Sequence, residues 1–252
     1  MSKNKNPLTK KQPRLSTNVV LTSIVVVVAV VVLGGVLWFN RDGSGGATEE
    51  PAGPPVAAEL LRKPDSNMLV ESPDSEVTVV EFLDYQCPAC WGYYTNMTKQ
   101  IEQDYAGRIN FVARNYPLDE MHPLARPAAQ AAEAAALQGK FPEMYHALYD
   151  NYQAWAASPD GKVSDDAAKA RGLFEQYAGQ IGLDLDKFRA DVDSPQVKAK
   201  IDADAADGEK AGVSGTPTLF INGRQFKPGQ DVQSWDQLNQ AFRSKLDAEL
   251  AK

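Results

Sequence analysis

Cys87-Pro88-Ala89-Cys90 constrains this chain more than any other stretch. These are the only two cysteines in 252 residues. Residues 77–83, rich in valine, read as a buried strand, and residues 91–105 read as a helix. A cysteine pair at a strand-to-helix turn is well placed for thiol–disulfide exchange. Cys87 falls at the helix start, where free N–H groups and the helix dipole favour a thiolate. Cys90 follows one turn in, placed to resolve a mixed disulfide formed at Cys87. A bond between the two closes a tiny loop and adds little loop-closure stability, so a chemical role is expected over a structural one. Zinc ribbons share this spacing but need two further ligands. Only His122 and His146 could supply them, and neither has finger-like spacing, so no metal is expected. An inert pair is the remaining alternative.

The N-terminal segment suggests where that chemistry takes place. Residues 1–18 carry Lys3, Lys5, Lys10, Lys11 and Arg14 and no acid, and read as a cytoplasmic tail. Residues 19–39 contain no charge, a length that crosses a ~30 Å hydrocarbon core once as a helix. The expectation is a single transmembrane helix with the rest of the chain exported. A cleaved signal peptide is the alternative, disfavoured by the long apolar run and its bulky end, Leu37-Trp38-Phe39. Residues 40–67, with Gly43-Ser44-Gly45-Gly46 and Pro51-Ala52-Gly53-Pro54-Pro55, read as a flexible linker. Residues 68–252 are long enough for one well-buried domain. Beyond the five N-terminal cations, 21 of the 26 basic residues face 33 acids, a net charge of about −12. That balance argues against a nucleic-acid partner.

Within the domain, residues 77–83 and 108–114 read as strands flanking a helix, a βαβ unit with parallel pairing. Residues 122–212 show no strand signal. Helices are expected there over 128–137, from Phe141 to Tyr149, over 167–181 with Ser164 as a possible cap, near 185–192, and from Pro195 towards Gly212. Strand character returns at 218–221, and Asn222-Gly223 signals a hairpin. Ser234 and Gln237 form a capping box for a last helix with Trp235, Leu238, Phe242, Leu246 and Leu250 on one stripe.

Residues 79–90, Val-Val-Glu-Phe-Leu-Asp-Tyr-Gln-Cys-Pro-Ala-Cys, resemble the active-site segment of the thioredoxin superfamily, and most nearly its DsbA-like branch of exported oxidoreductases. Residues 212–220, Gly-Val-Ser-Gly-Thr-Pro-Thr-Leu-Phe, resemble that family's cis-proline loop. The helical block between them matches the DsbA-like insertion in place and size. The resemblance covers about residues 68–250. It implies an α/β thioredoxin-like fold with an inserted helical block, here preceded by a transmembrane helix. It implies Cys87 as nucleophile, Cys90 as resolving thiol, Pro217 as the cis-proline beside them, and Thr216 with Pro88 and Ala89 as substrate contacts. Sequence alone does not give the cis bond, and a trans turn before a strand is the alternative for Pro217.

Glu81, six residues before Cys87, matches the family's buried proton acceptor; its alternative is a solvent-facing side chain. His122 reads as a packing or capping residue. Trp91, Tyr93 and Tyr94 read as core or as peptide-binding surface. The resemblance further implies reduced exported polypeptides as substrates, a quinone-linked membrane partner for reoxidation and no small-molecule cofactor; with no dimerisation module visible in the sequence, a monomer is expected. A reductase or isomerase, or a thioredoxin-fold binding module, are the other readings. Many strongly oxidising relatives have histidine in the motif; Ala89 supplies no such group.

Overall fold

The computed structural model describes residues 54–252. The expected tail at 1–18, the anchor at 19–39 and the first part of the linker lie outside them. No described helix is long and apolar enough to cross a membrane.

Strand β2, Thr78–Leu83, is buried along almost its whole length because both faces of the sheet are covered. It pairs in parallel with β3, Asn110–Asn115, as the βαβ reading expects. On its other side it pairs antiparallel with β4, Thr218–Ile221. Asn222 and Gly223 both take positive φ, 47° and 79°, and turn β4 into the short β5, Arg224–Gln225. An edge strand β1, Asn67–Val70, completes the order β1-β3-β2-β4-β5.

The linker expected to run to residue 67 stops earlier. Ala58–Leu61 forms a short helix, α1, and Leu61 is buried against the sheet with Val80, Phe82 and Val112. The Val56 N–H donates to the Gly223 carbonyl at 2.8 Å. Asn67 in β1 donates to the buried Glu133 at 2.7 Å. A Pro- and Ala-rich composition concealed this docking because only a few apolar side chains secure it.

The helix after the cysteines starts earlier than residue 91 and is not uniform. Pro88–Tyr93 forms α2, Tyr94–Thr98 a π turn, and Lys99–Asp104 α3. The π turn rotates the helix so that Tyr94, Met97 and Thr98 all point inward. This element shares one sheet face with α10, Trp235–Leu250, which is placed last in the chain. Their common core holds Val79, Met97, Ile101, Phe111, Leu219 and Phe242. Gly92 lets the two helices meet, since a Cβ there would lie 2.7 Å from the Trp235 ring. Trp235 itself is 42% exposed and Leu250 half-buried, the two ends of a stripe whose middle members, Leu238, Phe242 and Leu246, are buried.

The helical block holds α4, Ala125–Ala136; α5, Phe141–Asp150; α6, Tyr152–Trp155; α7, Ala167–Gln180; α8, Leu185–Val192; and α9, Pro195–Lys210. Asp166, not Ser164, caps α7 by accepting from the Lys169 N–H. Ser164 instead lends its backbone carbonyl to Gln86, described below. The last helix of the block doubles as cover for the second sheet face. There Arg114 from β3, only 1% exposed, donates to Asp204 at 2.7 Å and to Asp207 at 2.8 Å.

Candidate active site

β2 ends at Leu83, and three residues later the chain enters α2 with Cys87 as its N-cap. Pro88 fills the first helical turn, where no N–H is missed. Pro88 and Ala89 are exposed, whereas Cys87 is mostly buried and Cys90 fully so. Both cysteines are thiols.

The two sulfurs sit in opposite environments. Hydrogen bonding from the Cys90 thiol, opposed by burial and aided by the backbone N–H groups of Cys90 and Ala89 and by Thr216, lowers the Cys87 pKa to about 6. These N–H groups are the unpaired donors of a helix start. Burial, then the Cys87 sulfur and the Glu81 carboxylate, push Cys90 well above the ordinary thiol range. Cys87 is the less buried member of the pair and gives up its proton the more readily, while Cys90 is fully buried and holds its own.

Thr216–Pro217 is a cis peptide bond, and the Cys87 thiol donates to the Thr216 carbonyl at 3.5 Å. The structure therefore brings together the two motifs, 129 residues apart, that the sequence holds separate. The trans-turn alternative for Pro217 is set aside.

Glu81 is buried with 1% exposure. Strand alternation sets it on the Val79 face of β2, under the helix that carries the cysteines. No polar face exists there, so the solvent-facing alternative does not apply. Burial foremost, with Glu102 and Cys87 adding negative charge, raises its pKa to about 8. A carboxyl with this behaviour destabilises the fold when ionised. Below pH 4.5 it is neutral in both states; the loss develops as pH rises from about 4.5 to about 8 and then levels off. Glu81→Gln is therefore expected to unfold like the wild type near pH 4 and to exceed it by on the order of 4 kcal/mol at alkaline pH. Urea titrations of the reduced protein across this range check it; a constant difference would contradict the buried-acid reading.

Beneath the motif lies a polar framework that the sequence reading did not single out. The Asp84 carboxylate accepts from the N–H groups of Gln86 at 2.7 Å, Cys87 at 3.2 Å and Leu118 at 2.9 Å. His122 Nδ1 lies 2.7 Å from the same carboxylate, which draws the histidine pKa upward. His122 thus packs, as expected, but does so by steadying the turn that presents Cys87. The Gln86 amide donates to the carbonyls of Ala156 and Ser164, and its oxygen accepts from the Leu124 N–H at 2.6 Å. Tyr152 donates to the Gln86 carbonyl at 2.7 Å and stacks on Trp91. The available sequence signal was Asp84 and Gln86, two further amide- or carboxylate-bearing residues beside Glu81 in a largely apolar approach to the motif.

Of the aromatics after the motif, Tyr94 is core, stacked on Tyr149, while Trp91 and Tyr93 are half-buried at the rim. Among the described residues no cluster of His, Cys, Asp or Glu could hold a metal ion.

A C-x-x-C pair at a helix N-terminus, a facing cis-proline and a buried acid on the central strand define a thioredoxin-like thiol–disulfide oxidoreductase. The family model described as Thioredoxin matches residues 64–241, and the chain belongs to that family. Among solved structures, a thioredoxin-like oxidoreductase from Silicibacter pomeroyi is 27% identical with a TM-score of 0.56, covering 76% of this chain and 99% of that one. BdbD from Bacillus subtilis, 21% identical, shares the fold with a TM-score of 0.61 over 75% of this chain and 94% of that one. So does the thiol-disulfide exchange protein α-DsbA2 from Wolbachia pipientis, 22% identical, with a TM-score of 0.57 over 75% of this chain and 90% of that one. Among curated proteins, one named Na(+)/H(+) antiporter NhaA 1 from Mycolicibacterium vanbaalenii is 35% identical over 184 residues, 71% of this chain and 27% of that protein. The chain spans about a quarter of the length of the curated relatives it matches.

Proposed function

We propose that this chain is an exported, membrane-tethered disulfide oxidase acting on newly exported polypeptides. The observation that carries the reading is the asymmetry of the pair, with Cys87 near pKa 6 and Cys90 far above it. A thiol held near 6 is ionised at pH 7 where an ordinary thiol is not, which favours the reduced form of this protein by on the order of 1 kcal/mol there and makes the disulfide a readier electron acceptor.

The steps follow from the geometry. A substrate thiolate attacks Cys87 Sγ, the less buried sulfur, and the Cys87–Cys90 bond breaks. The electron pair leaves on Cys90, which takes a proton from Glu81, a group that holds one at neutral pH. The substrate's second thiolate then attacks its own sulfur in the mixed disulfide. Cys87 departs as a stabilised thiolate, the substrate is oxidised, and two electrons stay on this protein. Reoxidation requires an acceptor, proposed as a quinone-linked membrane partner, with Glu81 taking back the Cys90 proton. Thr216, Pro217, Pro88 and Ala89 are proposed to line the bound peptide, all being at least partly exposed beside Cys87.

The tether reading rests on the uncharged stretch at 19–39, with the N-terminus cytoplasmic and the domain outside. The curated relatives are named for an ion antiporter, which works across a membrane, and this supports a membrane setting for a domain of this kind. Antiport itself is not proposed.

One observation favours a milder potential, and with it a reductase or isomerase. Ala89 places no charged or donor group between the cysteines. The redox equilibrium of the full chain with glutathione decides. A potential near that of thioredoxin, about −270 mV, would overturn the oxidase reading; one above about −200 mV is the expected result.

A further inference from the structure

Glu81 has a proton to move but no direct contact with solvent. No cation is among the groups that set its pKa. Cys87, Cys90 and Tyr93 act on it or feel it from α2, and Tyr85 from the turn before. Glu102 does so from α3, and Tyr145 and Tyr149 from α5. Thr98, in the π turn, faces the Glu81 carboxyl. Thr98 and Glu102 are four residues apart on one helical face.

This locality gathers a concentration of unsatisfied polar atoms. Glu81 Oε2, Thr98 Oγ1, Glu102 Oε1 and Tyr145 Oη are all buried without a hydrogen-bond partner. Buried polar groups are ordinarily paired, and each orphan calls for a reason. Rotation of the Thr98 hydroxyl, or one bridging water, would link the two carboxyls.

The outer end reaches the surface. The second oxygen of Glu102, Oε2, lies 3.1 Å from His146 Nε2, and the His146 side chain is 32% exposed. The tautomer of His146 is fixed by its neighbours. Asp150 is held ionised, against burial, by Lys99 and Tyr94, so the Tyr94 hydroxyl donates its single proton to Asp150 at 2.7 Å. Only the Tyr94 lone pairs then face His146 Nδ1 at 3.2 Å, so Nδ1 carries a hydrogen. Nε2 is the ring nitrogen turned towards Glu102, on a side chain that reaches the surface.

We infer that Glu102 and His146 form the proton route between Glu81 and solvent, with His146 Nε2 as its outer station. The inference rests on the exchange reading of Cys87 and Cys90. Each time the disulfide opens, Glu81 gives a proton to Cys90 and regains one by way of His146, Glu102 and Thr98; closure reverses the direction. No bond other than those to the proton changes, and no electron moves along the path. Glu102 and His146 touch neither sulfur, so they are positioning and relay residues.

The test is the oxidation of the reduced full chain by a peptide disulfide, the direction in which Glu81 must release its proton outward before it takes that of Cys90, in dilute buffer and with added imidazole. His146→Gln is expected to slow the reaction roughly tenfold in dilute buffer, less than the ~10²–10⁴ of a group acting directly on a reacting atom. Imidazole, a diffusible substitute for the lost side chain, restores it. Glu102→Gln slows the reaction and is not restored, because the break lies deeper. A His146→Gln variant that reacts at the wild-type rate in dilute buffer, or is slowed without any rescue, overturns the route. His146 is partly exposed, so this variant tests the idea even where Glu102→Gln melts early. A wild-type chain that reacts no faster than Cys87→Ser overturns the exchange reading instead, and the need for a route with it.

Discussion

Replacing Cys87 by Ser abolishes oxidation of a reduced peptide, leaving only the uncatalysed rate. The serine hydroxyl keeps the N-cap position but cannot form the mixed disulfide through which the electrons pass. Cys90→Ser behaves differently. Cys87 keeps a stabilising helix start, with N–H groups from Ala89 and residue 90 still directed at it. Given a disulfide-linked peptide dimer, the Cys87 thiolate of this variant should displace one peptide as its thiolate and keep the other as a mixed disulfide, visible as an adduct in non-reducing gels and by mass, because no internal thiol remains to release it. Equal loss in both variants without an adduct would argue against Cys87 as the attacked sulfur. Full activity of Cys87→Ser in cells would favour a binding module over an enzyme.

Arg114→Ala should lower stability more than any other single change away from the site. Arg114 Nε donates to Asp204, and Nη2 to Asp207, while Nη1 donates to the carbonyls of Leu60 and Leu61. All three charged side chains are nearly fully buried. Removing the cation leaves Asp204 only Lys200, and Asp207 only Lys63 and Lys210, as cationic partners, all nearer the surface than Arg114, and frees α1 from the sheet. Breaking a buried pair from one side costs about 3–5 kcal/mol, a large part of a typical ~5–15 kcal/mol. Urea unfolding should show a lower midpoint at unchanged slope. A loss below ~1 kcal/mol, as for an exposed pair, would mean that water reaches these carboxylates. Thiol exchange should survive in the folded fraction, since the network lies across the sheet from Cys87.

The contrast between Glu81 and Gln86 shows how much of the site was legible. Glu81 stood out because an acid in an apolar strand has a price in desolvation and therefore invites a reason. Its outlook could not be read, because strand alternation gives two faces and only the packing of α2 and α10 says which is dry. Gln86 carried no comparable signal. An amide next to a turn is ordinary, and its partners, Leu124, Ala156 and Ser164, lie 38 to 78 residues away. His122 was recognised as a packing residue, yet its partner Asp84 sits 38 residues earlier in the chain. The π turn was equally hidden, since 91–105 has an unbroken helical pattern and the extra residue is imposed by what Tyr94 and Thr98 meet inside.

Local chemistry accounts for what could be read along the chain. The cysteine spacing, Pro88 at the helix start, Asn222-Gly223 at the hairpin and Ser234 before the last helix each act within a few residues, so they write themselves into the order of amino acids. The pairing of Cys87 with Thr216–Pro217, the dry setting that lifts Glu81, and the path from Thr98 through Glu102 to His146 are long-range. They exist because β2 lies between β3 and β4 and because α5 closes over the helix that bears the cysteines. A thiol at a helix start is implicit in Cys87-Pro88-Ala89-Cys90. How far its pKa falls, and where the proton of Cys90 goes, depend on burial and on charges brought close only by folding.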